Sequence, residues 1–290
     1  MKKIIIGLPK GSLQEATLRM FKKAGFTIET AERSYIPTID DPEIEVRLIR
    51  AQEISRYVEH GLLDAGITGY DWIMENNSDI FEVANLVYAK QGFGPVRWVV
   101  AVPINSPIKT IGDLAGKRIA TEVVELTRRF LKKQGVEAEI EFSWGASEIK
   151  APEFVDAIVE LTETGSSLRA NNLRILETVL ESSTKLIANH SAWQDKWKRK
   201  KIEQVAILLQ GALAAKSEVL LKMNVSKANV KAVTSILPAL HTPTINNLIE
   251  EDWVAVESVV SEEVVREIIP KLKKAGASGI IEIPLNEVIE

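Results

Sequence analysis

The run Asp156-Ala157-Ile158-Val159-Glu160-Leu161-Thr162-Glu163-Thr164-Gly165-Ser166-Ser167-Leu168-Arg169 holds the densest chemistry in the chain. An apolar, strand-like segment carries two carboxylates, Asp156 and Glu160, and runs into a Thr-Gly-Ser-Ser turn that opens a helix. Such a turn offers successive backbone N–H groups, the hydroxyls of Thr164, Ser166 and Ser167, and the positive end of a helix, so it holds a phosphate dianion with few Lys or Arg. Each charge-assisted hydrogen bond to that dianion contributes about 1.5–3 kcal/mol. The carboxylates would repel a phosphate; they suit ribose hydroxyls or a divalent cation. A phosphorylated sugar is the ligand class this run fits. An ordinary helix cap flanked by surface acids is the plain alternative.

Four other residues sit where chemistry is done. Lys10 follows a first strand, just before a helix that Ser12 and Glu15 introduce with capping-box spacing. It reads either as a solvated turn lysine or as a polyphosphate partner. Arg50 and Arg97 lie at strand ends, where a guanidinium grips phosphate bidentately or simply faces water. Asp71 opens a helix and reads as an N-cap or as a nucleotide contact.

Much is excluded. With no cysteine, the chain has no disulfide, thiolate metal site, Cys nucleophile or iron–sulfur cluster. The phosphate-binding GxxxxGK[ST] loop, the dinucleotide GxGxxG and the zinc-binding HExxH are absent. The three histidines, His60, His190 and His241, are far apart and read as surface or structural residues. The 36 Lys and Arg against 40 Asp and Glu leave a net charge of -4, which argues against a nucleic-acid partner. After Met1-Lys2-Lys3, Gly7, Pro9 and Lys10 cut the apolar stretch too short for a secretory core. No run suits a membrane span, and a cytoplasmic location is expected.

Strand and helix signals alternate through the first 90 residues and again from Arg97, which predicts parallel α/β sheets. Strands are expected at 3–9, 46–50, 65–69, 97–102 and 154–161, and helices at 13–23, 54–60, 126–134 and, from its apolar spacing, 168–180. The order from Glu218 is strand, helix, strand, strand, helix, strand, the βαββαβ pattern of a ferredoxin-like domain. The basic run Lys198-Arg199-Lys200-Lys201 reads as a solvated helix face rather than an anion patch. Trp98, Trp144 and Trp253 are expected in the core or at an interface.

The Asp156–Arg169 run resembles the phosphoribosyl-diphosphate loop of the ATP phosphoribosyltransferase family, the first enzymes of histidine biosynthesis. Glu148 matches the first acid of that signature, Asp156 its Asp, Thr164-Gly165 its Ser/Thr-Gly pair and Leu168 its last position. Phe154 stands where Gly is usual, Glu160 replaces Asp and Ser167 replaces Thr. The likeness extends to Gly7–Leu13, to Ile49-Arg50 with Tyr57–Asp71, to Phe93-Gly94, Arg97 and Val99–Pro103, to Lys117–Thr121, and to Pro243-Thr244-Ile245 and Gly276-Ala277-Ser278. After Arg118-Ile119-Ala120-Thr121 the family often has an aromatic and a proline; here Val123 and Val124 stand there.

The resemblance implies a fold, a reaction and a set of contacts. The fold is α/β: a two-lobed catalytic core like type II periplasmic binding proteins, with 1–90 and 176–213 as one lobe and 91–175 as the other. A regulatory, ferredoxin-like domain at 214–290 follows. The reaction joins N1 of ATP to C1 of phosphoribosyl diphosphate, with Mg2+ as cofactor. Implied catalytic residues are Lys10, Asp156 and Glu160. Implied phosphoribosyl diphosphate contacts are Glu148, Asp156, Glu160, Thr162, Thr164, Gly165, Ser166, Ser167 and Leu168. Lys10, Arg50, Asp71 and Arg97 are implied for ATP, and Thr242, Thr244, Ala277 and Ser278 for histidine as feedback inhibitor. A homo-oligomer, dimer and hexamer, is implied too. Two rival classes compete with it. A non-catalytic two-lobed solute-binding protein predicts an export signal and no need for the acid-and-phosphate loop. A stand-alone effector sensor leaves the first 210 residues without purpose.

Overall fold

The computed structural model describes residues 2–30, 35–88, 96–238 and 242–289. Phe93, Gly94 and His241 lie outside the described residues. The chain divides into two compact units, Met1–Lys22 with Phe26–Ala206, and Lys23–Gly25 with Ile207–Glu290.

The first unit opens with β1 (Ile4–Lys10), α1 (Gln14–Lys23), β2 (Ile28–Glu29), β3 (Thr38–Ile39), β4 (Ile44–Arg50), α2 (Ala51–Glu59), β5 (Ala65–Gly69), α3 (Tyr70–Asn76) and β6 (Phe81–Leu86). It then builds β7 (Val96–Pro103), β8 (Arg118–Thr121), α4 (Val124–Lys133), β9 (Glu139–Phe142), β10 (Ala157–Thr162), α5 (Ser166–Ala170) and β11 (Leu173–Ser182). It returns through β12 (Thr184–Ala188), α6 (His190–Gln194) and α7 (Lys196–Ala214).

One sheet has the order β4-β1-β5-β12-β6 and the other β11-β7-β10-β8-β9. β1 runs parallel to β4 and β5, while β12, back from the second lobe, lies antiparallel between β5 and β6. This inserted return strand is the type II binding-protein arrangement. β1 is flanked on both sides and apolar because both its faces are covered: Ile4, Ile6 and Leu8 are buried on one face, Gly7 and Pro9 on the other. Gly66 lets α2 lie against β5; a Cβ there would come 2.4 Å from Ile54 Cγ2. In the second sheet the pleat sorts side chains cleanly. Trp98, Val100, Val102 and Val159 pack in one cluster with Ile119 and Leu126. Val99, Ala101 and Ile158 pack in another with Leu168 and Leu173.

The structure corrects the expectation of a helix at 168–180. α5 stops at Asn171, and the chain runs on as β11, antiparallel to β7. Register shifts fall between Ile175 and Glu177 and between Thr178 and Leu180. Each irregularity adds a residue to the period-2 pleat, so Leu176, Val179 and Leu180 reach one core with helix-like spacing. All of β11 belongs to the second sheet, so the expected seam at 175/176 falls inside a strand. The return to the first lobe comes at Ser182–Thr184. The division between compact units falls at 206/207, inside α7, the helix that also spans the expected boundary at 213/214.

The basic run also differs from expectation. Lys198 pairs with Asp64 at 2.6 Å, Arg199 with Glu203 at 2.8 Å, and Lys201 with both Asp41 at 2.6 Å and Glu43 at 2.8 Å. The Lys198 and Lys201 pairs are staples that tie α7 to the first lobe, while Arg199–Glu203 lies within α7. Burial pulls the Lys201 ammonium toward losing its proton, yet Asp41 and Glu43 outweigh it and hold the pKa above the ordinary lysine value.

The second unit contains β13 (Glu218–Ser226), α8 (Val230–Thr234), β14 (Thr244–Asn247), β15 (Trp253–Ser261), α9 (Glu262–Lys274) and β16 (Ala277–Pro284). Its sheet order is β14-β15-β13-β16, all neighbours antiparallel, the ferredoxin-like arrangement. Val219, Leu221, Met223 and Val225 of β13 form its core with Val254, Val256, Val265 and Leu272.

Lys201→Met removes one cation from two acids and should lower stability by about 1–3 kcal/mol, read from the urea midpoint at unchanged slope. An unchanged midpoint would show that the staple adds nothing.

Candidate active site

Parallel strands end in unpaired backbone groups, and open α/β sheets place ligands beyond their carboxyl ends. Here β1, β4 and β5 bring Lys10, Arg50 and Gly69 to one edge, while β8 and β10 bring Glu122 and Glu160 to the facing edge. A cleft of about 430 Å³ lies between the lobes, lined by Lys10 and Arg50 on one side and by Glu122, Glu160 and Glu163 on the other. Lys10 and Arg50 are register partners on adjacent strands. The Lys10 ammonium rests 3.7 Å from the centre of the Tyr35 ring, an attraction between cation and aromatic face.

Asp71 and Trp72 form the back wall. Asp71 Oδ2 accepts from Trp98 Nε1 at 2.8 Å and Oδ1 from Ser182 Oγ at 2.9 Å, while the Ser182 hydroxyl accepts from the Asp71 backbone N–H at 3.0 Å. Burial pushes the Asp71 carboxyl above the usual range; the bonds from Trp98 and Ser182 act the other way. Asp71 lines the cleft, and each of its oxygens already accepts one hydrogen bond from the second lobe. Two further contacts fasten α3 there. Glu75 accepts from the backbone N–H groups of Glu125 at 3.0 Å and Leu126 at 2.7 Å, and Arg129 donates to the Met74 carbonyl.

Glu160 points into the cleft from β10. Burial raises its pKa, a hydrogen bond from Ser147 opposes the rise, and the charges of Glu148 and Glu122 add to it. Burial also raises Glu122, against a backbone hydrogen bond from Gly145. Glu122 is a cleft residue that the sequence reading missed. Its place directly after a strand parallel to β10 was the available signal.

The loop after β10 is built as a tight turn. Gly165, at φ 73°, donates its N–H to Thr162 Oγ1 at 2.7 Å. Thr164 Oγ1 accepts from the Ser166 N–H, and Ser167 Oγ donates to Glu148 Oε1 at 2.6 Å. Glu148, Thr164, Gly165, Ser166 and Ser167 are thus brought together. The Thr162 hydroxyl closes the turn as an acceptor, which leaves its own proton to donate. Leu168 is corrected from contact to anchor: it is 1% exposed and packs with Val99, Ile158 and Leu173.

Two more expectations change. Asp156 sits at the opposite end of β10, six residues and about 20 Å from Thr162 at strand rise. Its Oδ2 accepts from the Arg118 N–H at 2.9 Å, and Lys117 lies 3.7 Å from Oδ1, so it closes the strand entry and is no cleft residue. Arg97 pairs across the sheet with Thr162, on the face that carries Glu160, and is not among the residues that line the cleft with Lys10 and Arg50.

In the second unit Thr244 lies on β14 and Ala277 and Ser278 on β16, the two outer strands, with β15 and β13 between them. Three strand spacings, about 14 Å, separate the two edges. Ala277 is buried in the core, Thr242 is exposed before β14, and the expected four-residue effector site is not assembled within this domain.

Comparison with known proteins gives a consistent answer. The family model for ATP phosphoribosyltransferase matches residues 50–211, and that for the HisG C-terminal domain matches residues 215–287. An ATP phosphoribosyltransferase of Thermodesulfovibrio yellowstonii is 59% identical over 99% of both chains. The chain belongs to the ATP phosphoribosyltransferase family. One of Chlorobium luteolum is 57% identical over 100% of this chain and 98% of its own. Among solved structures, the ATP phosphoribosyl transferase (HisG:HisZ) complex from Thermotoga maritima matches at a TM-score of 0.61 and 26% identity, covering 71% of this chain and 98% of that one.

Membership sharpens two departures from the family pattern. Phe154, where glycine is usual, is 63% exposed in the turn before β10, away from the loop. Val123, at the usual aromatic position, is fully buried in the second-lobe core, so it offers no face to adenine.

Glu160→Gln should lower kcat by about 10²-fold or more, whereas Asp156→Asn should keep it within about threefold. Turnover should fall as pH drops through the raised pKa of Glu160, an acid limb above the ordinary carboxylate range. The reverse ranking of the two variants would restore Asp156 to the site.

Proposed function

We infer that the protein is an ATP phosphoribosyltransferase of histidine biosynthesis, moving the 5-phosphoribosyl group of phosphoribosyl diphosphate to N1 of ATP with release of diphosphate. The observation that carries this reading is the opposition of two cations, Lys10 and Arg50, to the Glu160 carboxylate across one cleft. Polyphosphate needs the first and a sugar ring the second.

The reaction breaks the C1–O bond to diphosphate as N1 closes on C1, through an oxocarbenium-like state. Glu160 suits the ribose hydroxyls and the positive charge that grows on the ring. The Thr164–Ser167 turn suits the 5-phosphate. Lys10 and Arg50 would neutralise diphosphate as it departs with the bonding electrons. No covalent nucleophile is required, and rate comes from positioning and electrostatics. Among the described residues no group of three or more His, Asp or Glu is arranged to hold a metal. We propose that Mg2+ accompanies the polyphosphates, which would supply most of its oxygen ligands, with one or two carboxylates of the cleft edge completing the set.

Feedback by histidine through residues 215–287, and assembly into dimers and hexamers, complete the proposal; the match to the C-terminal family model supports the first. Among the described residues no helix is long and apolar enough to cross a membrane.

A spectrophotometric assay of ATP plus phosphoribosyl diphosphate with Mg2+ should show product, and added histidine should slow it. A rate indifferent to millimolar histidine would remove the feedback part alone. In Gly165→Val the positive φ of 73° is lost to a branched residue whose Cβ would sit 3.1 Å from Arg169 Nη1. Its KM for phosphoribosyl diphosphate should rise at least about tenfold while that for ATP stays within about twofold. Equal rises would place the sugar phosphate elsewhere.

A further inference from the structure

The reaction as derived gives the base of ATP no contact and Glu122 no task. Val123 is buried in the second-lobe core and offers the base no face. Trp72 lines the cleft and meets Trp98 edge to face, with 6.1 Å between ring centres. It packs against the cluster that holds Ile119 and Val123, which bracket Glu122 in the chain, so an apolar wall adjoins that carboxylate. Glu122 itself lines the cleft and is half-buried, and among the described residues no cation pairs with it. Its charge is open to a ligand.

Strand register fixes where Glu122 stands. β8 and β10 are parallel neighbours, with Ala120 opposite Ile158 and Thr121 opposite Val159. Ala120 and Ile158 pack in one cluster, on one face of the sheet. The next step of both chains sets Glu122 beside Glu160 on that face, about 4.8 Å away at the backbone. The bond made in the reaction spans a similar gap. A ribose hydroxyl sits on the carbon beside C1, and the exocyclic amine of adenine sits on the carbon beside N1. With the ribose at Glu160 and C1 facing N1, the amine falls about one strand along the sheet. An amine N–H there needs an acceptor. On one side of Glu160, β7 offers Arg97, which only donates; on the other, β8 offers the Glu122 carboxylate.

We propose that Glu122 is the specificity-determining residue for adenine, accepting a hydrogen bond from the exocyclic amine and stabilising the positive charge that the base gains during transfer. This rests on the reading of the cleft as the site of phosphoribosyl transfer to ATP, with the ribose at Glu160. N1 gives its lone pair to C1 while the C1–O bond to diphosphate breaks and its electrons leave with the diphosphate. The base becomes a cation, and its charge spreads through the ring carbon to the amine; no proton is lost in this step. The N–H bond to the carboxylate then joins opposite charges, so it strengthens most in the transition state. Before the base arrives, burial makes the Glu122 charge costly and lifts its pKa, and a cation forming beside it offsets that cost. A 6-oxopurine would set a carbonyl oxygen against the carboxylate, two acceptors facing each other.

The test compares ATP with the triphosphate of purine riboside, which carries hydrogen in place of the amine, in the full chain for wild type, Glu122→Gln and Glu122→Ala. Wild type should favour ATP in kcat/KM by at least about thirtyfold, and Glu122→Ala should cut that ratio by at least about tenfold. Most of the loss should fall on kcat with ATP, while KM for phosphoribosyl diphosphate stays within about threefold. Glu122→Gln keeps an acceptor without the charge and should lie between the two. An unchanged ratio in Glu122→Ala would overturn the proposal. So would a loss carried by KM for phosphoribosyl diphosphate, which would put Glu122 on the ribose, or recovery at raised Mg2+, which would make it a metal ligand. Should Glu122→Ala fail to fold, the nearly isosteric Glu122→Gln decides by the same ratio. Calorimetry gives a readout free of turnover. Wild type should bind ATP at least about fivefold more tightly than the purine analogue, and the variants should narrow that gap; equal affinities in wild type would refute the contact. A wild type that binds ATP selectively yet makes no product from ATP and phosphoribosyl diphosphate would sink the enzymatic reading and leave the amine contact standing.

Discussion

One buried carboxylate joins the lobes of the catalytic unit. Asp71 begins α3 in the first lobe and is held by neutral donors from the second, the Trp98 indole and the Ser182 hydroxyl. Its charge is costly to bury, and only a fixed set of hydrogen bonds makes the site tolerable. Ser182 stands at the end of β11, just before the chain returns to the first lobe, so the bond holds the seam where it would otherwise open. Glu75 on the N-terminal amides of α4 repeats the device one turn along the same helix. With α3 held at both places, the spacing of the cation edge and the acid edge of the cleft is set by packing rather than by ligand.

That fixed spacing gives the two edges their separate tasks. Lys10 and Arg50 end parallel strands of one sheet, and Glu122 and Glu160 lie at strand ends of the other. Like charges are gathered on each side and opposite charges face across. A substrate that carries polyphosphate at one end and a sugar at the other completes the balance. The acids are the strained side: burial and mutual repulsion push Glu160 and Glu122 toward their neutral forms, and hydrogen-bond donors oppose them.

Much of this could be read in the residues, and the failures have physical causes. The strands at 3–9, 46–50 and 65–69 were legible because central parallel strands are short apolar blocks ended by glycine or charge. The βαββαβ tail was legible because its core strands alternate regularly. Position 160 could be found from its distance to Thr164-Gly165. Asp156 was misassigned because a strand that carries acids at both ends looks the same from either; only pairing with Arg118 and Lys117 shows which end is the entry. The tie of Asp71 to the second lobe was not legible because a carboxylate at a helix start looks like a cap until its partners, far away in sequence, are placed beside it. Thr244 and Ser278 were grouped although the antiparallel order sends them to opposite edges. The basic run passed for a solvated face because Asp41, Glu43 and Asp64, which it binds, are remote in sequence.

The irregular pleat of β11 sets a limit on how this chain can change length. Both irregularities lie upstream of Ser182. A codon lost or gained between them would turn every later side chain of the strand to the opposite face. Leu180 would face out of its core, and Asp71 would lose the Ser182 hydroxyl and keep only the Trp98 indole as a side-chain donor. Insertions and deletions should therefore be confined to surface turns such as that at Gly135, while the ten residues of β11 keep their number even as their identities drift.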